Sequence, residues 1–243
     1  MADKTWKARE RQVAKYFSTN RTPLSGGSSR HTRSDSLHDE LFVECKLRKK
    51  HYDISHWDET KETWSGIPVM ASNMDGVGTF SMANVLQKHN MLTIIKKHYT
   101  IEDWENAVGH GMSLSNIAVS TGTNAIFDPD AEDYKKAQEI LARWPDIKFI
   151  CIDVANGYQQ NFSDFVREVR EKFPKKIIIA GNVITGEMTE QLCIAGADII
   201  KCGIGPGSVC TTRNKTGVGM TQFSGIMECA DAAHGLGGHI VAD

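Results

Sequence analysis

From Trp64 onward the sequence alternates short apolar runs with stretches of helical periodicity, and few architectures accept that rhythm. IPVMASN precedes TFSMANVLQKH, MLTIIKKH precedes TIEDWENAVGHG, and NIAVSTG precedes DAEDYKKAQEILARW. In the same way KFICIDV, KIIIAGNV and DIIKCGIG lead to NFSDFVREVREKF, to TGEMTEQLCIAG and, after a loop, to FSGIMECADAAHG, before a last run, GHIVAD. The apolar runs are near-continuous, as in parallel strands covered on both faces. Seven such strands, with a helix after each of the first six, make most of a (β/α)8 TIM barrel; a doubly wound open sheet is the other architecture built from βα units. Polar residues following successive strands favour the barrel, whose chemistry gathers at the C-terminal ends of its strands. They are Asn73 to Asp75, Lys97 and His98, Ser120 to Gly122, Asp153, Gly181 and Asn182, and the loop around Cys210. The expected fold is α/β: an incomplete TIM barrel of about seven strands, with a short basic α/β extension before it.

Charge divides the chain at the same place. Residues 1–52 hold 12 of the 28 Lys and Arg and 6 of the 30 Asp and Glu, a balance of +6, which leaves −8 for the remainder. The organisation expected is a basic segment over 1–52, a linker over 53–63 and a barrel domain over 64–243. The apolar runs are all far shorter than a membrane span, and the N-terminus is charged from Lys4, unlike a secretory signal, so the chain reads as cytoplasmic and without a membrane partner. Its six cysteines (45, 151, 193, 202, 210, 229) form no CxxC pair and no zinc-like spacing, as expected of reduced, mostly buried thiols.

One cysteine stands apart. In GIGPGSVCTTR, residues 203–213, three glycines end a buried strand with a backbone able to bring carbonyls or amides together around an ion or phosphate. Cys210 follows on a loop at the barrel mouth, with Arg213 and Lys215 near it in sequence. Cationic surroundings stabilise a thiolate. The residues alone leave two readings open, a reactive thiol and a cysteine packed under the rim.

This loop, with KTGVG after it and SNMDGVGTFSMA, KKHY, CIDVANGY, AGNVITGEM and ECADAAHGLGGHIVAD elsewhere, resembles the IMP dehydrogenase/GMP reductase family over residues 64–243. The spellings KHY, DVANGY and GNVITGEM, and the direct passage from KKHYT into the next βα unit without a regulatory insert, resemble the GMP reductase branch; IMP dehydrogenase is the alternative within the family. The resemblance implies NADPH-dependent reductive deamination of GMP to IMP and ammonia, in purine nucleotide salvage, through a covalent thioimidate on Cys210. Thr212 would move the leaving amine's proton, while Lys97 and Asp153 would serve the cofactor side and the acid–base network. Cofactor contacts are implied at Lys97, Ser120, Thr121, Gly122, Asp153, Ala155, Asn156 and Gly157. Nucleotide contacts are implied at Asn182, Gly207, Ser208, Cys210 and Asp243, the last on the ribose. A potassium ion would rest on backbone oxygens of Gly205, Gly207, Cys210 and Arg213. The family also implies a homotetramer. An eighth strand, phosphate loops and a flap lie further along in its members, so the expectation is a truncated or split chain, inactive without a complementing C-terminal chain. Two departures stand out: Cys202 where a small branched residue is usual, and GMTQFSG in place of a Tyr-Pro-Gln-Leu-Ser stretch.

The first 52 residues invite a different comparison. A helix-like stretch bearing Glu10, then Asp35, then LFVECK with Glu44 and Lys46, resembles the Asp and Glu-x-Lys core of restriction-endonuclease-like nucleases. Strand alternation puts Glu44 and Lys46 on one face, and such a set would hold Mg2+ and activate water against a phosphodiester. The alternative function is therefore a magnesium-dependent nuclease or DNA-binding arm on an inert barrel fragment. An exposed charged strand in a basic arm explains the same residues without any activity.

Overall fold

The computed structural model describes residues 20–21, 36–37, 52–54, 61–123, 131–207 and 210–243. The chain divides into two compact units, Met1–Lys50 and His51–Asp243. In the first, β1 (Asn20–Arg21) and β2 (Ser36–Leu37) pair antiparallel. Glu10, Asp35, Glu44 and Lys46, the residues of the nuclease reading, lie outside the described residues.

The second unit opens with an antiparallel pair, β3 (Tyr52–Ile54) with β4 (Trp64–Gly66). Seven parallel strands follow: β5 (Met70–Ala71), β6 (Leu92–Ile95), β7 (Ile117–Thr121), β8 (Phe149–Asp153), β9 (Ile177–Val183), β10 (Ile199–Cys202) and β11 (His239–Ala242). Between them run α1 (Phe80–Leu86), α2 (Ile101–Gly109), α3 (Glu132–Arg143), α4 (Gln160–Lys172), α5 (Gly186–Ala195), the single-turn α6 (Thr212–Thr216) and α7 (Gln222–Gly235). Helix starts follow local chemistry. Thr79 and Thr185 accept the amide hydrogens of Met82 and Met188, and Thr100 forms a reciprocal capping box with Asp103.

Each strand lies beside its neighbour in sequence, in the order β5 to β11 without reversal. A doubly wound sheet reverses its order at a switch point, whereas a barrel does not. The sheet is also curled: Ser72, just past β5, reaches the carboxylate of Asp243, just past β11, at 3.3 Å, although these strands stand at opposite ends of the order. The fold is an incomplete TIM-barrel-like α/β structure of seven strands.

Alternation along each strand sorts the core into two layers. Ile95, Val119, Ile150, Ile152, Ile178, Ala180 and Ile200 face outward into a cluster with Trp104, Tyr134, Phe165 and Leu192 of the helices. Leu92, Ile94, Ala118, Phe149, Cys151, Ile177, Ile179 and Ile199 face inward and close on Trp64, whose ring meets Phe149 edge-on at 6.0 Å. Trp64 thus plugs the end of the barrel where the strands begin. Below it, Lys61 reaches the buried carboxylate of Asp198 at 3.0 Å, and Asp198 also pairs with Arg170 and accepts the Ile178 amide hydrogen at 2.7 Å. With this end sealed, residues carried past the strands' C-terminal ends are left for chemistry.

Candidate active site

Inward parity continues past the apolar layer: Asp153 follows Cys151 on β8, Gly181 follows Ile179 on β9, and Lys201 follows Ile199 on β10. The register sets Asp153 beside Gly181 and Gly181 beside Lys201. A Cβ on Gly181 would lie 2.5 Å from both the Cβ and the carbonyl oxygen of Lys201, so the absence of a side chain makes room for the lysine stem. Lys201, 3% exposed, donates to Asp153 Oδ1 at 2.5 Å and to Asn73 Oδ1 at 3.4 Å, and its Nζ stands 3.1 Å from Asp243 Oδ2. Asp243 Oδ2 also accepts from Asn182 Nδ2 at 2.8 Å. Burial opposes the charge on Lys201, but the carboxylates of Asp153 and Asp243 outweigh it and hold its pKa above the usual lysine value. Burial likewise works against ionised Asp243; the Lys201 ammonium and the Asn182 and Ser72 hydrogen bonds overcome it and keep the carboxyl below the ordinary aspartate value.

Gly203 carries the chain out of β10. Its φ of +153° lies outside the range of most residues, and a Cβ there would fall 2.1 Å from the Asp243 carbonyl oxygen. Asn182 Nδ2 donates to the Gly203 carbonyl at 2.9 Å, which ties β9, the cysteine loop and Asp243 together. Cys210 is half-buried at the far end of this loop, and its amide donates to Gly207 O at 3.1 Å. Hydrogen bonds from the Thr212 amide, the Thr212 hydroxyl and the amides of Gly205 and Arg213 favour its thiolate and lower its pKa. The other described thiols differ. Burial pushes Cys151 and Cys193 up to about 12. Cys202 and Cys229 are fully buried beside Ile184 and Ile204, with Cys202 raised, chiefly by its hydrogen bond to Cys229 and by burial, and Cys229 lowered by the same hydrogen bond.

On the opposite side of the mouth, Lys97 pairs with Asp133 of α3 at 2.8 Å, and a Cβ on Gly122 would lie 3.1 Å from the Lys97 ammonium. Ser120 and Thr121 are buried, with their hydroxyls donated to Ile95 O at 2.5 Å and Gly122 O at 3.1 Å. Asn156 accepts the Tyr158 amide hydrogen at 3.2 Å; Ala155 is exposed and Gly157 buried. The structure therefore gathers Asp153 and Asp243 on one lysine, with Asn182 bonded to Asp243, and gathers Gly205, Thr212 and Arg213 around Cys210, while Lys97 has its own carboxylate partner. Ser208 lies outside the described residues. Among the described residues no group of three or more His, Cys, Asp or Glu side chains is placed to hold a metal.

Sequence reading missed Lys201 and Asp133. A signal for the first existed: a lysine within the apolar run DIIKCGI, two residues past Ile199, has inward parity on a buried strand, where a cation needs partners. For Asp133, an acidic residue in the first turn of a helix reads as a favourable end charge and nothing more.

A parallel barrel sheet sealed at one end, with a stabilised thiolate and a buried lysine–carboxylate cluster at the other, has the layout of a barrel protein whose chemistry sits at its strand ends. The chain belongs to the IMP dehydrogenase/GMP reductase family: residues 49–243 match the family model of the IMP dehydrogenase / GMP reductase domain. It is similar to GMP reductase 1 of Homo sapiens, 55% identical over 185 residues, which are 76% of this chain and 52% of the relative. It is similar as well to GMP reductase of Klebsiella pneumoniae, 58% identical over 184 residues, 74% of this chain and 51% of that protein. With GMP reductase of Yersinia pestis (strain Pestoides F) it shares 52% identity over 206 residues, 84% of this chain and 55% of that one. The chain spans about half the length of the curated relatives it matches.

Proposed function

We propose that this chain carries the nucleophile and the ribose-binding side of a GMP reductase, which converts GMP to IMP and ammonia at the expense of NADPH. The observation that supports this reading most is the Cys210 loop, where donors from Thr212, Gly205 and Arg213 converge on one sulfur and favour its thiolate. Relatives bearing the name GMP reductase, at 52–58% identity, point the same way.

In this reading the Cys210 sulfur attacks C2 of the guanine ring, a C–S bond forms, and the C2–N bond to the exocyclic amine breaks as that nitrogen leaves as ammonia. Thr212, whose hydroxyl already contacts the sulfur, passes a proton toward the departing amine. NADPH, when bound, would supply a hydride to C2, after which the Cys210 sulfur would take back the C–S electron pair as IMP is released. Lys97, its ammonium held by Asp133 and packed close to Gly122, offers a cation suited to an anionic dinucleotide. Asp153 serves the acid–base network, and Asp243 accepts hydrogen bonds from the ribose hydroxyls. The family's potassium ion is compatible with this loop. The carbonyls of Gly207 and Arg213 each accept a single amide hydrogen, from Cys210 at 3.1 Å and from Gly217 at 3.0 Å, which leaves one lone pair on each for a cation alongside Gly205 and Cys210. Potassium there would fix the backbone path of the nucleophile. A cytoplasmic homotetramer is the assembly proposed, on family grounds.

Cys210→Ala tests the assignment. Once a second chain supplies the remaining length of the relatives, wild-type protein is expected to oxidise NADPH only when GMP is added; the variant, complemented in the same way, should lose IMP formation altogether while retaining GMP binding by calorimetry, because only the covalent step is gone. Substantial turnover by the alanine variant would rule out Cys210 as the nucleophile.

A further inference from the structure

We propose that Lys201 is a positioning residue that holds the carboxylates of Asp153 and Asp243 on a single buried ammonium and thereby locks the cofactor side of the mouth to the nucleotide side. The proposal rests on the roles given above to those two aspartates. Lys201 itself has no such role, and the geometry argues for one.

Its ammonium has three N–H donors, and three acceptors surround it: Asp153 Oδ1 at 2.5 Å, Asp243 Oδ2 at 3.1 Å and Asn73 Oδ1 at 3.4 Å. With its donors committed and 3% exposure, it has none to offer a ligand, so it acts through its neighbours. Those neighbours come from three separate places in the chain: β8, the residues after β5, and the residue after β11. The two aspartates, by contrast, are each about one-third exposed on their side chains, and so remain accessible to bound molecules.

Charge makes the arrangement dependent on the lysine. The titratable and polar groups facing it are Cys151 and Asp153 on β8, Asn182 on β9, Ser72 and Asn73 after β5, and Asp243. Burial keeps the Cys151 thiol neutral, so two carboxylates stand against one cation. Without that cation, two partly buried carboxylates would face each other across the space it occupied, and one of them would take up a proton. A protonated Asp243 is a poor acceptor for a ribose hydroxyl, and a protonated Asp153 is no base. Gly181 supports the same conclusion from the packing side, since its missing Cβ is what admits the lysine stem.

The test combines carboxyl titration with kinetics. In protein labelled with 13C at the aspartate side chains, Lys201→Met should move the apparent pKa of one member of the Asp153–Asp243 pair upward, and Lys201→Arg should leave the wild-type titration in place. In GMP-dependent NADPH oxidation, Lys201→Met should raise the KM for GMP about tenfold and shift the acid limb of kcat/KM to higher pH, with the arginine variant keeping the wild-type limb. A structural role alone would change yield and melting temperature, not the limb. Superimposable titrations of wild type and Lys201→Met would overturn the proposal. If Lys201→Met does not fold, Asp153→Asn examines the same link from the other side: Asp243 should then titrate at lower pH, and an unmoved Asp243 overturns the proposal equally. No GMP-dependent NADPH oxidation by wild-type protein complemented with a chain that supplies the remaining length of the relatives would refute the enzymatic reading, while the titrations still decide the role of Lys201.

Discussion

Cys210 owes its low pKa first to the Thr212 amide and next to the Thr212 hydroxyl. The two contributions are separable, because Thr212→Val removes the hydroxyl and keeps the amide. The rate of iodoacetamide labelling follows the thiolate fraction, so in wild type its rise with pH is expected below the ordinary thiol value of 9.0. In Thr212→Val the rise should move to higher pH without reaching that value; an unmoved profile would exclude the hydroxyl as a support of the thiolate. The cysteine loop was legible in the sequence, because glycines after a buried strand and a thiol beside donors are local features. Partners such as Asp133 for Lys97, 36 residues away, or Asp153 for Lys201, 48 residues away, were not, because only strand register and the packing of helix on sheet make them neighbours. Ser120 and Thr121 have partners that the sequence does not show either. Their positions at a strand end suggest ligand contacts, yet both hydroxyls are spent on backbone carbonyls inside the fold.

Between β9 and β10 the fit is close enough to forbid even a methyl group. Gly181→Ala would drive its Cβ against the backbone and Cβ of Lys201, atoms that cannot swing aside as the end of a side chain can. The expected cost is about 1–3 kcal/mol, read as a lower denaturant midpoint, accompanied by a weaker link between Lys201 and Asp153. A variant as stable as wild type would show that the two strands separate more easily than their packing suggests. The elements themselves followed from pattern. Near-continuous apolar runs marked β6 to β11, and helical periodicity marked the helices between them. The order of the strands did not follow from pattern, since an open doubly wound sheet is written with the same runs. The monotonic pairing from β5 to β11 decides between them. The residues at 53–63, read from sequence as a linker, include part of β3 and the Lys61–Asp198 contact.

The second unit separates its stability from its chemistry along the strand direction. Trp64 fills the end where the strands begin, against Phe149 and the inward isoleucines, whereas the thiolate loop and the Lys201 cluster occupy the other end. Trp64→Ala should therefore destabilise the fold by about 3–5 kcal/mol in denaturant unfolding, yet leave the pH profile of Cys210 labelling where it was. A shift in that profile would mean that the two ends communicate through the barrel interior.

The unreversed strand order also bears on how such a chain acquires its shape. Each strand pairs with the one made just before it, so the sheet can be extended unit by unit in the direction of synthesis, with short loops closing first. The lysine–aspartate cluster cannot form on that schedule. It waits for Asp243 to meet Ser72, 171 residues earlier, so the mouth is assembled last, after the scaffold beneath it is already in place.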